Sequence, residues 1–233
     1  MDGDWATSDA QQALQQTGLL KIGGWSSAVA IGPRVLVTAA HTVGRHGTVT
    51  TWLDGERRVF SCKKHSAYSK KLHRGDRLGI DLALCQDDQQ PPLAMCPLPV
   101  VLDSERLAVG SEVRLSGIGC QKCNDASLSP TQYSSGRTTV ASLPEAGRRA
   151  LVTKGESAIC RGDSGGGVLM ESEGGGLSVV AVATGSLDCR KRISAAATLS
   201  WPENANWIRT WAQKPGRDIC GVSSAPDACS CDS

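Results

Sequence analysis

Three short stretches bring together residue types that could do chemistry. His41 lies in Thr38-Ala39-Ala40-His41-Thr42, directly after the apolar run Val35–Val37. A histidine at a strand end, flanked by small residues, can be held rigid while its ring stays open to a cleft. Asp81 opens the apolar run Asp81-Leu82-Ala83-Leu84. A carboxylate there is costly to bury unless a cation or hydrogen-bond donor meets it, and an imidazole is one such partner. Asp76, Asp87 and Asp88 are weaker candidates, because none opens an apolar strand. Ser164 sits in Cys160-Arg161-Gly162-Asp163-Ser164-Gly165-Gly166-Gly167. Glycines reach unusual backbone angles, so several N–H groups can turn toward one point. A serine hydroxyl is a weak nucleophile until a base takes its proton. Each stretch also has a plain reading: a structural histidine, an exposed strand-end charge, a flexible turn. The glycine loop lacks the lysine that a phosphate-binding P-loop needs.

Together, in the order His, Asp, Ser, the three match the chain order of one known nucleophilic triad. The sequence resembles the trypsin/chymotrypsin-like serine peptidase family from about Leu19 to about Gln213. The anchors are Thr38–His41, Asp81–Leu84 and Gly162–Gly166. Gly117-Ile118-Gly119 and the stretch around Asn206-Trp207-Ile208 are softer matches. The resemblance implies that Ser164 is the nucleophile, His41 the general base and Asp81 its orienter. It also implies an oxyanion hole formed by the N–H groups of Gly162 and Ser164. An α/β-hydrolase esterase would place its histidine last, and here it comes first.

Further implications concern activation, specificity and cysteines. In many family members a freed N-terminal amine pairs with the aspartate before the serine, here Asp163. Lys21-Ile22-Gly23-Gly24 looks like a cleavage junction, but Ile22 lies only 19 residues before His41. That front is short, as in the bacterial branch of the family, and leaves Asp163 in need of another partner. By the same alignment Ala158 lies at the base of the specificity pocket. Ala183, Thr184 and Gly185 form its wall and the edge strand for substrate. The implied pocket is open and uncharged, and not specific for Lys or Arg; Glu156 and Asp188 are the charges that could reach it. Cys160 and Cys189 match a family disulfide. Cys96 could pair with a tail cysteine, and Cys62 and Cys85 are expected to be buried or paired. Cys120-Gln121-Lys122-Cys123 and Cys229-Ser230-Cys231 could form a four-thiolate zinc site, but the second half has the wrong spacing. No metal or cofactor is therefore expected.

The elements that must position these residues read as short strands. Residues 17–22 and 26–31 come first, with Gly23-Gly24 as the turn, then Val35–Thr38. Thr48–Leu53, Arg58–Cys62, Asp81–Cys85, Glu112–Leu115, Gly136–Ser142 and Ala150–Lys154 follow, then Gly167–Met170, Ser178–Thr184 and Ser194–Thr198. Gly, Pro, Asp and Ser clusters separate them at barrel-like intervals. One helix is predicted, Glu203–Gln213, after Pro202 and before Pro215-Gly216. The Pro-rich passage Pro91–Pro99 divides the strands into two similar groups. The expected fold is all-β: two six-stranded antiparallel β-barrels, chymotrypsin-like, with a C-terminal α-helix. The expected division is an arm over 1–16, a peptidase domain over 17–213 and a Cys-containing tail over 214–233. Within the domain the barrels are expected at about 17–95 and 100–200, and the helix at about 203–213.

Composition limits the function classes. The 233 residues carry 25 Lys+Arg and 23 Asp+Glu, a net charge of +2 that gives no electrostatic case for nucleic acid. The longest apolar run, Leu177–Gly185, is half of the roughly 18 residues that a membrane helix needs. Ten cysteines, an even number, suit an oxidising compartment. Met1-Asp2-Gly3-Asp4 does not open a signal peptide. The expectation is a secreted or periplasmic chain whose leader was removed, with a cytosolic one as the alternative. The predicted partner is a protein or peptide substrate, with no nucleic acid or membrane and a monomeric state. The alternatives to a serine endopeptidase are a latent protease-fold binding protein and a protease dedicated to one partner protein.

Overall fold

The computed structural model describes residues 18–53, 55–69, 71–89, 91–93, 95–120, 133–147, 149–172, 175–223 and 229. The expected arm over 1–16 lies outside them. The strands of the first half are β1 (Leu19–Ile22), β2 (Ser26–Gly32), β3 (Val35–Thr38), β4 (Thr48–Leu53), β5 (Glu56–Lys64) and β6 (Ala83–Gln86). They form an antiparallel sheet in the order β1-β2-β3-β6-β5-β4. The sheet curls until its edges meet. There Gly23 N–H donates to the Thr50 carbonyl at 2.8 Å, and Thr51 Oγ1–H donates to the Lys21 carbonyl at 2.6 Å. The second half supplies β7 (Glu112–Gly117), β8 (Ser134–Ser142), β9 (Leu151–Lys154), β10 (Gly167–Glu171), β11 (Leu177–Asp188) and β12 (Ile193–Thr198). These close a barrel in the order β10-β11-β12-β9-β8-β7. The fold is thus the expected pair of six-stranded antiparallel barrels.

Strand periodicity explains where the core sits. Successive side chains of a strand point to opposite faces. In β2, Ala28 and Ala30 face the first barrel's interior with Leu36 and Phe60, whereas Val29 and Ile31 face the seam between the barrels. Val182, Leu169 and Val37 join that seam. A strand buried on both faces reads as a continuous apolar run, as Ala28–Ile31 does. The Pro-rich passage is a crossover along the seam. Leu98 N–H donates to Ala30 in one barrel, and Val101 N–H to Val179 in the other. The C-terminal helix, α2, spans Pro202–Ala212 and buries Ile208 and Trp211 in the seam.

Among the described residues, one α-helix was not foreseen. Helix α1, Arg74–Gly79, contains two glycines in six residues and has no helical pattern of its own. It forms where Gly79 abuts the Arg149 backbone so closely that a Cβ would not fit. Tertiary contact, not propensity, makes it.

Asp87 has a structural explanation. Its carboxylate, 2% exposed, accepts from Arg58 Nη2 at 2.9 Å and Nε at 3.0 Å. Arg58 also donates to the Pro91 carbonyl at 2.7 Å and lies over the Phe60 ring. Removing one member of a buried pair leaves the other charge uncompensated. Arg58→Ala is expected to cost about 3–5 kcal/mol in chemical denaturation. A double replacement, Arg58→Met with Asp87→Leu, should recover most of that loss. Equal losses in both variants would sink this account.

Candidate active site

The site is assembled where the two barrels touch. Strand β3 ends at Thr38, which pairs with Ala83 of β6, so the chain beyond each strand end meets the other. Beyond β3 a single 3-10 turn, Ala40–Thr42, carries His41. Beyond β6, toward its N-terminal side, lies Asp81. The aspartate grips the histidine twice: Oδ1 accepts from His41 N–H at 2.8 Å, and Oδ2 from ring Nδ1 at 2.6 Å. The Asp81 side chain is 4% exposed and the His41 side chain 37% exposed. The carboxylate is sealed and satisfied, while the ring presents Nε2 outward. A carboxylate accepts, so the proton sits on Nδ1 and Nε2 is left as a base.

The serine loop rests on both barrels. On the β2 side, Ser27 N–H donates to the Ser164 carbonyl at 2.9 Å, and Ser27 Oγ–H to the Gly162 carbonyl at 2.9 Å. Ile118 N–H donates to the same Ser27 oxygen at 3.0 Å. On the β11 side, Gly165 N–H donates to Ala183, and Ala183 N–H to Gly166, both at 2.8 Å. Thr38 Oγ1–H donates to the Ser27 carbonyl at 2.7 Å. A Cβ on Gly165 would run into that carbonyl and the Thr38 hydroxyl. The chain bearing His41 and the chain bearing Ser164 therefore touch directly. Gly162 has φ of +102° and Gly165 +90°, angles that glycine adopts without steric cost. Among the described residues, the N–H groups of Gly162 and Ser164 donate to nothing, and the Ser164 hydroxyl makes no hydrogen bond. Ser27 was not anticipated as a site residue. Its only sequence signal is a small polar residue in an otherwise apolar strand.

Asp163 has the partners that the sequence did not name. It is 8% exposed, and its two oxygens accept from Gly119 N–H and Cys160 N–H, each at 2.7 Å. The carboxylate fills the space where Gly117 and Gly119 would carry a Cβ, which accounts for Gly117-Ile118-Gly119. Burial pushes its pKa up to about 6, and the two N–H donors only partly offset this. An unfolded carboxyl ionises near 3.8, so folding takes up a proton between these values. The stability that Asp163 contributes is full below pH 3.8 and is lost as pH rises through about 6. A carboxyl ¹³C titration of the folded protein is expected to place this group near 6; a midpoint at or below 4 would contradict it.

Beside the loop lies a cavity of about 370 Å³. Of the residues that the resemblance gave to the pocket, its lining includes Ala158 and Ala183, together with Asp163, Cys160, Cys189, Glu156 and Arg192. The cavity is therefore not the uncharged one that the resemblance implied; Arg192 comes from the β11–β12 turn, whose path the sequence does not reveal. Thr184 and Gly185 do not line it. The Thr184 hydroxyl donates to the Ala195 carbonyl at 3.0 Å, and Gly185 pairs with Ala195 in the β11–β12 ladder. Asp188 is held in its own turn, accepting from Lys191 N–H at 3.0 Å.

The cysteines correct one pairing. Cys160 is bonded to Cys120 and not to Cys189. Cys120 N–H donates to the Arg161 carbonyl at 2.9 Å, which brings the chain after β7 against the serine loop. Cys189 and Cys96 are disulfide-bonded too. Cys62 pairs with Cys85 across β5 and β6, and Cys220 with Cys229 in the tail. Cys120 and Cys229 are thereby removed from the zinc alternative, and Cys123 and Cys231 lie outside the described residues.

Comparison with known proteins adds the following. A family model described as Trypsin matches residues 5–208. A mutant of human heparin binding protein (CAP37) superposes with a TM-score of 0.67 at 22% identity, covering 88% of this chain and 95% of that one. Neuropsin, a serine protease expressed in the limbic system of mouse brain, gives 0.66 at 14% identity, covering 85% and 95%. At such identities the likeness to these structures is one of fold. No curated protein matches the chain.

Proposed function

The chain belongs to the trypsin family, and from that premise we propose that it is a serine endopeptidase acting through His41, Asp81 and Ser164. The observation that carries this reading is the doubly held His41–Asp81 pair beside a serine loop with two unengaged N–H groups. In the proposed reaction, Ser164 Oγ attacks the scissile carbonyl while His41 Nε2 takes its proton. Asp81 holds the imidazole tautomer and stabilises the imidazolium. The N–H groups of Gly162 and Ser164 receive the developing oxyanion, a contribution of about 3–4 kcal/mol per donor. His41 then returns the proton to the leaving amine, and water repeats the sequence on the acyl-enzyme. The Ser164–His41 hydrogen bond forms as substrate closes the site; such bonds are commonly loose without substrate.

The edge of β11 at Thr184 and Gly185, just past the Ala183 backbone that holds the serine loop, pairs with substrate backbone, and Ala158 lies at the pocket base. The cavity is lined by Glu156 as well as Arg192, so its charges offset and do not single out a Lys or Arg side chain. Disulfides support folding in an oxidising compartment, secreted or periplasmic. None of the described helices is long and apolar enough to cross a membrane. A denatured test protein incubated with the enzyme should yield new N-termini, and the same incubation with Ser164→Ala should yield none.

A second reading is a latent protease-fold binding protein or a protease dedicated to one partner. The unbonded Ser164 hydroxyl favours latency. One structural neighbour is named for heparin binding, so this fold also serves in a binding role. Folded protein that cleaves no denatured substrate would move the balance to this reading.

A further inference from the structure

Among the described residues, two exposed arginines, one beside the serine loop and one against β11, have no carboxylate partner. Arg161 precedes Gly162 of the serine loop, and its guanidinium lies over the Trp25 ring at 5.2 Å from the centroid. Trp25 is 52% exposed in the turn between β1 and β2. An exposed tryptophan that carries a guanidinium on its face is a rigid platform for a charge, not a core residue. The turn is anchored close to the nucleophile, because Ser27 N–H and Oγ–H hold the serine loop. On the other flank, Arg74 opens α1, and its Nη2 donates to the Ser186 carbonyl of β11 at 3.1 Å. Beyond Val182, β11 has lost its β10 neighbour, and this is the stretch that the proposed function gives to substrate residues before the cut. The Trp25 turn lies on the opposite side of the loop, which leaves it to the residues after the cut.

Three carboxylates near these flanks face cations of their own. Asp76 and Glu203 both face Arg149, at 3.9 and 2.7 Å, and Asp188 faces Lys191 at 3.6 Å. Glu156 and Arg192 share the cavity rim. Among the described residues, Arg74 and Arg161 form no ion pair, so each guanidinium is left to meet a carboxylate of a ligand.

We infer that the substrate is a polypeptide segment with acidic side chains on both sides of the cleaved bond, Arg161 reading those after the cut and Arg74 those before it. This rests on the endopeptidase reading. Arg161 keeps its guanidinium oriented on Trp25, so a carboxylate meets a fixed donor fork. Arg74 offers the same fork beside the substrate-pairing edge.

The test begins with a peptide library cleaved by the wild-type protein. Aspartate and glutamate are expected to be enriched on both sides of the cut. Paired peptides differing only as Asp/Glu against Asn/Gln should then differ in kcat/KM by about fivefold per side, less at high salt. Arg161→Gln should bring the after-cut ratio to about one and keep the before-cut ratio, and Arg74→Gln should do the reverse. Ratios of one in the wild type, or ratios untouched by either variant, overturn the inference while leaving the endopeptidase reading intact. A binding arm works even if no peptide is cleaved. A short labelled Gly-Asp peptide should bind Ser164→Ala protein about fivefold more tightly than its Gly-Asn counterpart, and the added Arg161→Gln and Arg74→Gln changes should remove the difference. Equal affinities overturn the inference whatever the fate of catalysis.

Discussion

A fluorophosphonate probe is expected to add one phosphonyl group to the wild-type protein, seen by intact mass, and none to Ser164→Ala. The probe reports an activated serine and a formed oxyanion hole together, because its phosphoryl oxygen must sit where the oxyanion would. Ser164→Ala and His41→Ala should each lower kcat by about a millionfold, and the double variant should lose little more. Groups that act as one unit do not contribute additively. Asp81→Asn should cost about ten-thousandfold. Its amide can still hold the ring, but its NH₂ faces Nδ1, which then accepts and leaves the proton on Nε2. The imidazole remains in place and cannot act as the base. Asp81 also accepts His41 N–H, at 2.8 Å, so this variant should keep the turn but lose the tautomer. Labelling of Ser164→Ala at another residue, or full labelling of Asp81→Asn at the wild-type rate, would overturn the assignment. A folded wild-type protein that takes up no probe would instead support latency.

The second large effect is expected at Gly165. Replacement by alanine places a Cβ against the Ser27 carbonyl and the Thr38 hydroxyl, both parts of the barrel that carries His41. Neither is the flexible end of a side chain that could move aside cheaply. A φ of +90° adds a backbone penalty of about 1–2 kcal/mol for any residue with a Cβ. The serine loop must move away from β2, breaking the Ser27–Ser164 bond and turning the Gly162 and Ser164 N–H groups from their common point. Gly165→Ala should lose about 3–5 kcal/mol of stability and react with the probe at least about a hundredfold more slowly. Gly55→Ala is the control. Its φ is +81°, yet nothing lies within 4 Å of its Cβ. It should lose only about 1 kcal/mol and label normally. Equal behaviour of the two variants would mean that backbone angle alone, and not the contact between barrels, matters at Gly165.

The sequence by itself determined the strand set and the residue types of the site. Apolar runs such as Ala28–Ile31 and Leu82–Leu84 are short, separated by Gly and Pro, and could be read as strands from local pattern. The order His41, Asp81, Ser164 could be read because each lies in a distinctive local string. Cys62 and Cys85 were expected only to be buried or paired, and the register of β5 on β6 decides that they pair with each other. What the chain could not disclose by itself depends on contacts between distant segments. Helix α1 forms because Gly79 packs on Arg149, 70 positions away. Cys160 meets Cys120 because the chain after β7 returns to the serine loop, whereas sequence order alone could not choose among partners. Asp163 is satisfied by two backbone N–H groups, which carry no residue-type signal at all. The charges at the cavity, Glu156 and Arg192, arrive from turns whose paths are set by barrel closure. Local periodicity is written into neighbouring residues and survives as a one-dimensional pattern. Side-chain meetings across a seam are set by packing, and only the folded chain brings Trp25 under Arg161 or Ser27 against Ser164.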